Sequence, residues 1–261
     1  MTLIDTHTHL YLPEFDHDRS NVVENALAAG VEKMFLPNID RDTVKPLLAL
    51  AAQFPLHCYP MAGLHPTSVK ENWKEEMAFV EKTLEENSFI AVGEIGIDLY
   101  WDKTFEREQQ EVFARQIQLA LDHRLPVVIH SRESLPVIFD VLRGFSRLPG
   151  GVFHSFTGTR SQAEKILEMG FGLGIGGIVT FRNSSLKEEL KPLGPGAMVL
   201  ETDAPFLAPV PRRGKRNESK YLIYIARFLA GLFDITPEEI ARITTANARK
   251  IFPAAFAGPD I

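Results

Sequence analysis

The sequence predicts an α/β fold, a closed (β/α)8 TIM barrel with extra C-terminal helices, on three observations. Eight short apolar runs recur along the 261 residues. Most are continuous rather than alternating, as parallel strands buried on both faces are. Segments with helical spacing lie between most of them, and strand–helix alternation implies a parallel sheet. The length suits one barrel of about 250 residues; an open doubly wound sheet is the alternative. One domain is expected over residues 1–253 with a short flexible tail over 254–261, since no Ser- or Gly-rich linker, repeat or low-complexity segment interrupts the chain.

In chain order, strands are expected at 3–6, 33–36, 57–61, 90–93, 127–129, 152–153, 171–175 and 198–200. Helices are expected at 18–29, 42–52, 73–86, 105–123 and 161–169, with a shorter one at 185–190 and a closing pair at 221–233 and 237–250. Phe113, Ile117 and Leu121 recur at helical spacing on the fourth of these. Thr236-Pro237-Glu238-Glu239 is a helix start: a capping hydroxyl, proline in the first turn, then acids facing the dipole. The glycine-rich 170–177 stretch has its glycines within a strand rather than opening a helix, so it is not a dinucleotide fingerprint.

Composition narrows the class. Hydrophobic residues make up 45% and charged residues 24%, an ordinary globular balance. The lone Cys58 allows no intrachain disulfide and fits a reducing, cytoplasmic setting. Asp5, His7 and His9 break any apolar leader, and no run of eighteen apolar residues suggests a membrane span. A net charge of −6 argues against bulk electrostatic binding of nucleic acid but leaves room for a local basic patch.

The chemistry sits where strands end. His7 and His9 follow the first strand, Glu94 the fourth, His130 ends the fifth, His154 the sixth, and Asp203 follows the eighth. In a barrel these ends share one face, where active sites are built. His7 and His9, one residue apart, leave an extended segment on the same side. Four histidines and two carboxylates exceed the needs of one open metal site and suit two metals sharing a bridging carboxylate. Two dications and two carboxylates leave a local charge of roughly +2, which attracts anions. His123 closes a helix, where a dipole contact is expected; His17 and His57 are expected to be structural.

The motifs Ile4-Asp5-Thr6-His7-Thr8-His9-Leu10, Gly63-Leu64-His65-Pro66 and Ala91-Val92-Gly93-Glu94-Ile95-Gly96-Ile97-Asp98 carry a resemblance. So do Leu125-Pro126-Val127-Val128-Ile129-His130-Ser131-Arg132, Val152-Phe153-His154-Ser155-Phe156-Thr157-Gly158 and Leu200-Glu201-Thr202-Asp203-Ala204-Pro205-Phe206-Leu207. With Thr245-Ala246-Asn247-Ala248-Arg249-Lys250-Ile251-Phe252, the chain resembles the TatD family of metal-dependent deoxyribonucleases almost end to end. The resemblance implies that His7, His9 and Asp203 hold one metal, His130 and His154 a second, and Glu94 bridges them. The sequence departs from the family pattern at Thr67, where a second histidine is usual, at Ser155, where a cysteine is usual, and at Asn217-Glu218-Ser219.

The expected activity is therefore two-metal hydrolysis of a phosphodiester by two divalent cations drawn from Mg, Mn, Zn or Ni. The substrate implied is single-stranded DNA, attacked from an end. Catalytic roles fall to Glu94, to Asp203, which would orient or deprotonate the water, and to His65, for the leaving oxygen or a phosphate. Arg132 and the cluster Arg212, Arg213, Lys215 and Arg216 are candidate substrate contacts, supplying a backbone grip that the net charge lacks. Phe156, Tyr100, Trp101 and Phe206 fall near strand ends, as base-stacking or core residues. Alternatives are a deacylase of D-aminoacyl or otherwise mischarged tRNA, a hydrolase of a small phosphoester, lactone or amide, and a non-catalytic nucleic-acid-binding protein. The sequence leaves the oligomeric state open, a monomer included.

Overall fold

The structure, a computed structural model, describes residues 1–257. Its eight strands are β1 (Leu3–Asp5), β2 (Val31–Leu36), β3 (Cys58–Pro60), β4 (Val92–Asp98), β5 (Val127–Arg132), β6 (Gly151–Phe153), β7 (Phe171–Ile175) and β8 (Met198–Leu200). They pair in sequence order, all parallel, as ladders β1-β2-β3 and β4-β5-β6-β7-β8. A bridge between Ala62 and Val92, with Gly93 N–H donating to the Ala62 carbonyl at 2.9 Å, joins the ladders. Thr6 N–H donating to the Leu200 carbonyl at 3.0 Å closes the ring. The barrel predicted from the sequence is the fold.

Strand alternation explains where side chains go. Ile4, Phe35, Met61, Ala91, Val128, Val152 and Val199 form one apolar cluster inside the barrel, floored by Ala248 and Phe252. Their strand neighbours Leu3, Met34, Leu36, Val127, Ile129, Phe153, Met198 and Leu200 face outward into the larger helix-packed core. His130 lies two residues beyond Val128 and His154 two beyond Val152, so both enter the barrel above this apolar floor.

β4 departs from that alternation. Its register slips against β5 between Val92 and Ile95, where three steps of β4 match two of β5. The extra residue is a bulge. Val92, Ile95 and Ile97 face the outer core, so the bulge turns Glu94 and Asp98 inward. Glu94 was expected after the strand; it sits within it, because β4 runs on to Asp98. β5 likewise extends past His130 to Arg132. Gly96, at φ 141°, is required there, because a Cβ would collide with the His130 carbonyl.

The helices among the described residues are α1 (Arg19–Ala28), α2 (Arg41–Gln53), α3 (Trp73–Glu86), α4 (Glu106–His123), α5 (Leu135–Arg143), α6 (Arg160–Glu168), α7 (Leu186–Leu190), α8 (Leu222–Phe233) and α9 (Pro237–Ile251). Asp40 and Thr159 open α2 and α6 with reciprocal capping boxes. α5 was not anticipated: it is short and strongly apolar, although Pro136 in its first turn is a start signal. Of the tail expected at 254–261, Ala255 is buried in the barrel floor and Phe256 packs on Phe35 with ring centroids 6.3 Å apart; residues 258–261 lie outside the described residues. No helix of the described residues is long and apolar enough to cross a membrane.

Candidate metal centre

The C-terminal mouth brings together His7, His9, His65, Glu94, His130, His154 and Asp203. Glu94, buried at the bulge, organises them. Its Oε2 lies 3.1 Å from His7 Nε2 and 3.7 Å from His9 Nε2. Its Oε1 lies 2.8 Å from His130 Nδ1, 3.2 Å from His154 Nε2 and 3.3 Å from His65 Nε2. Asp203 Oδ1 is 3.6 Å from His9 Nε2 and 3.8 Å from His7 Nε2. Three overlapping sets have ligand-atom spacing suited to a metal: His7, His9 and Glu94; His7, His154 and Asp203; His65, Glu94 and His130.

The far side of each ring shows which nitrogen faces inward as a lone pair. Tyr11 donates its hydroxyl hydrogen to the Pro37 carbonyl at 2.5 Å, so it must accept from His9 Nδ1 at 2.9 Å. His154 Nδ1 donates to Glu201 Oε1 at 3.1 Å, an oxygen that also accepts from Ser155 N–H at 2.5 Å. His130 Nε2 donates to Asp98 Oδ2 at 2.9 Å. In the neutral rings, the form that binds a cation, each arrangement leaves His9 Nε2, His154 Nε2 and His130 Nδ1 as inward acceptors. His65 is the reverse. Thr67 N–H donates to its Nδ1 at 3.2 Å, so the hydrogen of the neutral ring is on Nε2, which faces Glu94. His7 Nδ1 is buried without a partner.

The electrostatics follow from this crowding. Burial raises the Glu94 carboxyl, but His154, His65 and His7 outweigh it and hold the group well below the ordinary range. Asp203 is held below its ordinary value in the same way, by its contact with His9 and by His154 and His7 against the cost of burial. His154 is raised well above its usual value because Glu94 and Glu201 overcome burial. Burial lowers His65 despite Glu94, so it is a neutral donor. Asp5, which the motif contains but to which no role was given, is a buried tie. It accepts from Thr202 N–H at 2.9 Å and Thr202 Oγ1 at 2.6 Å, joining β1 to β8, and burial pushes its carboxyl up to about 7.

Sequence reasoning missed Asp98, Glu201 and Tyr11. All three lie in or beside quoted motifs, but they act on the outer nitrogens of histidines up to 47 residues away. Two of them change the charge balance. With Asp98 and Glu201 added to Glu94 and Asp203, four carboxylates meet the histidines, and two dications would bring the site to roughly zero rather than +2. Gly174 admits Glu201: a Cβ there would overlap Glu201 Oε2, which is buried without a partner.

The candidate substrate contacts separate. Arg132 is exposed at the end of β5, its guanidinium 3.8 Å from the Tyr100 ring centroid and 5.1 Å from that of Trp101. Arg212 lies over Tyr221 and Tyr224, and Arg213 over Phe181 at 3.9 Å. Lys215 is exposed. Arg216 turns away to grip Asp18 with both terminal nitrogens at 2.8 and 2.6 Å. Phe156 is buried core, whereas Trp101, Tyr100 and Phe206 are exposed. His123 ends α4 and His17 is exposed on the surface; His57 Nδ1 contacts the Glu32 carbonyl at 2.8 Å.

Residues 4–253 match the family described as TatD related DNase. The chain is 37% identical to the uncharacterized metal-dependent hydrolase YabD of Bacillus subtilis, covering 96% of this chain and 98% of that protein. It is 35% identical to the 3'-5' ssDNA/RNA exonuclease TatD of Erwinia billingiae, covering 96% and 98%. Among solved structures, the TatD homologue YJJV of Escherichia coli K12 superposes with a TM-score of 0.90 at 31% identity, over 96% of this chain and 98% of that one. An amidohydrolase of Saccharomyces cerevisiae shares the fold at 16% identity and a TM-score of 0.83.

Proposed function

This chain belongs to the family of TatD-related DNases and is a metal-dependent hydrolase; from that premise we propose that it cleaves phosphodiester bonds of single-stranded nucleic acid from an end, using two divalent cations. One observation carries the two-cation reading. The two oxygens of Glu94 face different histidine sets, His7 and His9 on one side, His65, His130 and His154 on the other. The nucleic-acid reading is supported by the Erwinia billingiae relative, named a 3'-5' ssDNA/RNA exonuclease.

The donor set fits such ions. Four carboxylates and inward-facing imidazoles crowd together with no lysine or arginine paired to Glu94 or Asp203 among the described residues. His7, His9 and Asp203 would hold one cation, His130 and His154 the other, and Glu94 both. The mixed nitrogen and oxygen donors suit zinc, manganese, nickel or magnesium. Bound cations supply a Lewis acid and a water acidified to a pKa of about 7. Asp203, kept ionised by its histidine neighbours, would orient the attacking water and accept its proton. His65, with Thr67 fixing its hydrogen on Nε2, donates to the leaving oxygen or to the phosphate. Because the metal-loaded centre carries little net charge, anion attraction falls to the exposed Arg132, Arg212, Arg213 and Lys215. Arg216 instead fixes their loop to Asp18.

The test is a substrate panel on purified protein after metal removal and selective restoration. Single-stranded DNA should be shortened from an end only when metal returns. Preferential turnover of D-aminoacyl-tRNA, or of small phosphoesters with DNA untouched, would replace the proposal.

A further inference from the structure

We propose that the cavity between the loops following β3 and β4 is a subsite for one unstacked nucleobase, the base beside the scissile phosphate, with Trp101 as its stacking wall; this rests on the nucleic-acid reading above. The cavity holds about 260 Å³. Thr67, Lys70, Asp98, Trp101, Asp102 and Phe105 line it. It lies just below the roughly 300–1,000 Å³ of sites for drug-sized ligands, the size for a fragment such as one base.

Its walls have the chemistry a base needs. Trp101 is 69% exposed and Tyr100 49%, a large aromatic surface left in water at the mouth. The two rings meet edge to face at 4.9 Å, and the Arg132 guanidinium stacks on Tyr100 at 3.8 Å. Aromatic and guanidinium planes side by side provide a stacking platform with a cation for the adjoining phosphate. Lys70 and Asp102, paired at 3.3 Å, link the two loops and place a donor and an acceptor at the edge of the cavity.

The cavity shares its anchors with the metal centre. Asp98 Oδ2 holds His130, while its Oδ1 accepts from Tyr100 N–H at 3.0 Å and Trp101 N–H at 3.2 Å. Thr67, on the opposite wall, holds His65. The distance from a stacked base to the reacting phosphate is therefore set by the residues that set the histidines. A base can enter only by leaving its stack, so a strand end or single strand fits and an intact duplex does not. Every base offers a π-face, so preference among bases is weak.

An oligonucleotide carrying 2-aminopurine at the position to be cleaved, titrated with metal-free protein, tests this without turnover. Stacking should quench its fluorescence with the wild type and with Trp101→Phe, but not with Trp101→Ala. In the metal-restored enzyme Trp101→Ala should raise KM for single-stranded DNA about tenfold or more. An abasic nucleotide at that position should cost the wild type the same factor and cost Trp101→Ala nothing further. Unaltered fluorescence and KM in Trp101→Ala, with DNA still cleaved, overturn the subsite alone. Failure of the wild type to bind or cleave any DNA overturns both the subsite and the nucleic-acid reading.

Discussion

At the scale of single residues, the centre is decided by what stands behind each imidazole. Tyr11, Asp98 and Glu201 fix His9, His130 and His154 with a lone pair toward Glu94, whereas Thr67 fixes His65 with a hydrogen toward it. These opposite tautomers predict opposite mutant phenotypes. His65→Ala should keep the wild-type metal content, measured by plasma mass spectrometry, while kcat falls by roughly 10²–10³, the range for a lost hydrogen-bond donor to developing charge. His65→Gln, which retains an N–H donor, should recover part of that loss. Metal loss from His65→Ala would make it a ligand. The residues that meet at Glu94 were legible in the sequence because each is a histidine or carboxylate at or near a strand end. The residues behind them were not. A tyrosine or aspartate 2 or 32 positions from its histidine carries no local mark of the hydrogen bond it makes.

At the scale of elements, strands place the ligands and α4 steadies the loops between them. Buried Gln116 accepts from Leu64 N–H at 2.7 Å and donates to the Leu64 carbonyl at 3.1 Å, beside His65. Two turns earlier on the same helical face, Gln109 makes the same two-bond clamp on Asp98, at 2.8 and 3.2 Å. Gln116→Leu keeps the volume but strands a buried N–H and C=O. Each such group costs about 1–3 kcal/mol, so the variant should lose about 2–6 kcal/mol in urea unfolding with an unchanged m-value. A loss below about 0.5 kcal/mol would show the clamp to be dispensable. Periodicity marked α4 and most strands correctly, but it gave Gln109 and Gln116 no role. It also stopped β4 at Gly93, because a bulge inverts the inward face and hides the continuation through Glu94 to Asp98. α5 escaped because nine residues span fewer than three turns, too short a window for its apolar face to stand out as helical periodicity.

At the scale of the whole molecule, the chain carries a net charge of −6, while the proposed function requires it to admit an anionic strand. The barrel separates these demands. Carboxylates are sunk inside at Glu94, Asp98 and Glu201, where cations would neutralise them, and Arg132, Arg212, Arg213 and Lys215 stay exposed. The closed barrel was legible from eight buried runs and their alternation with helices. The charge distribution was not, because it depends on which acids the strands turn inward. Metal stoichiometry, counted by calorimetric titration of metal-free protein together with elemental analysis, tests the central claim most directly. The wild type should bind two divalent cations per chain, and Glu94→Ala, stripped of the carboxylate whose two oxygens face the two histidine sets, should fail to hold the pair. Two cations bound with unchanged affinity by Glu94→Ala, or a single cation in the wild type, would contradict it.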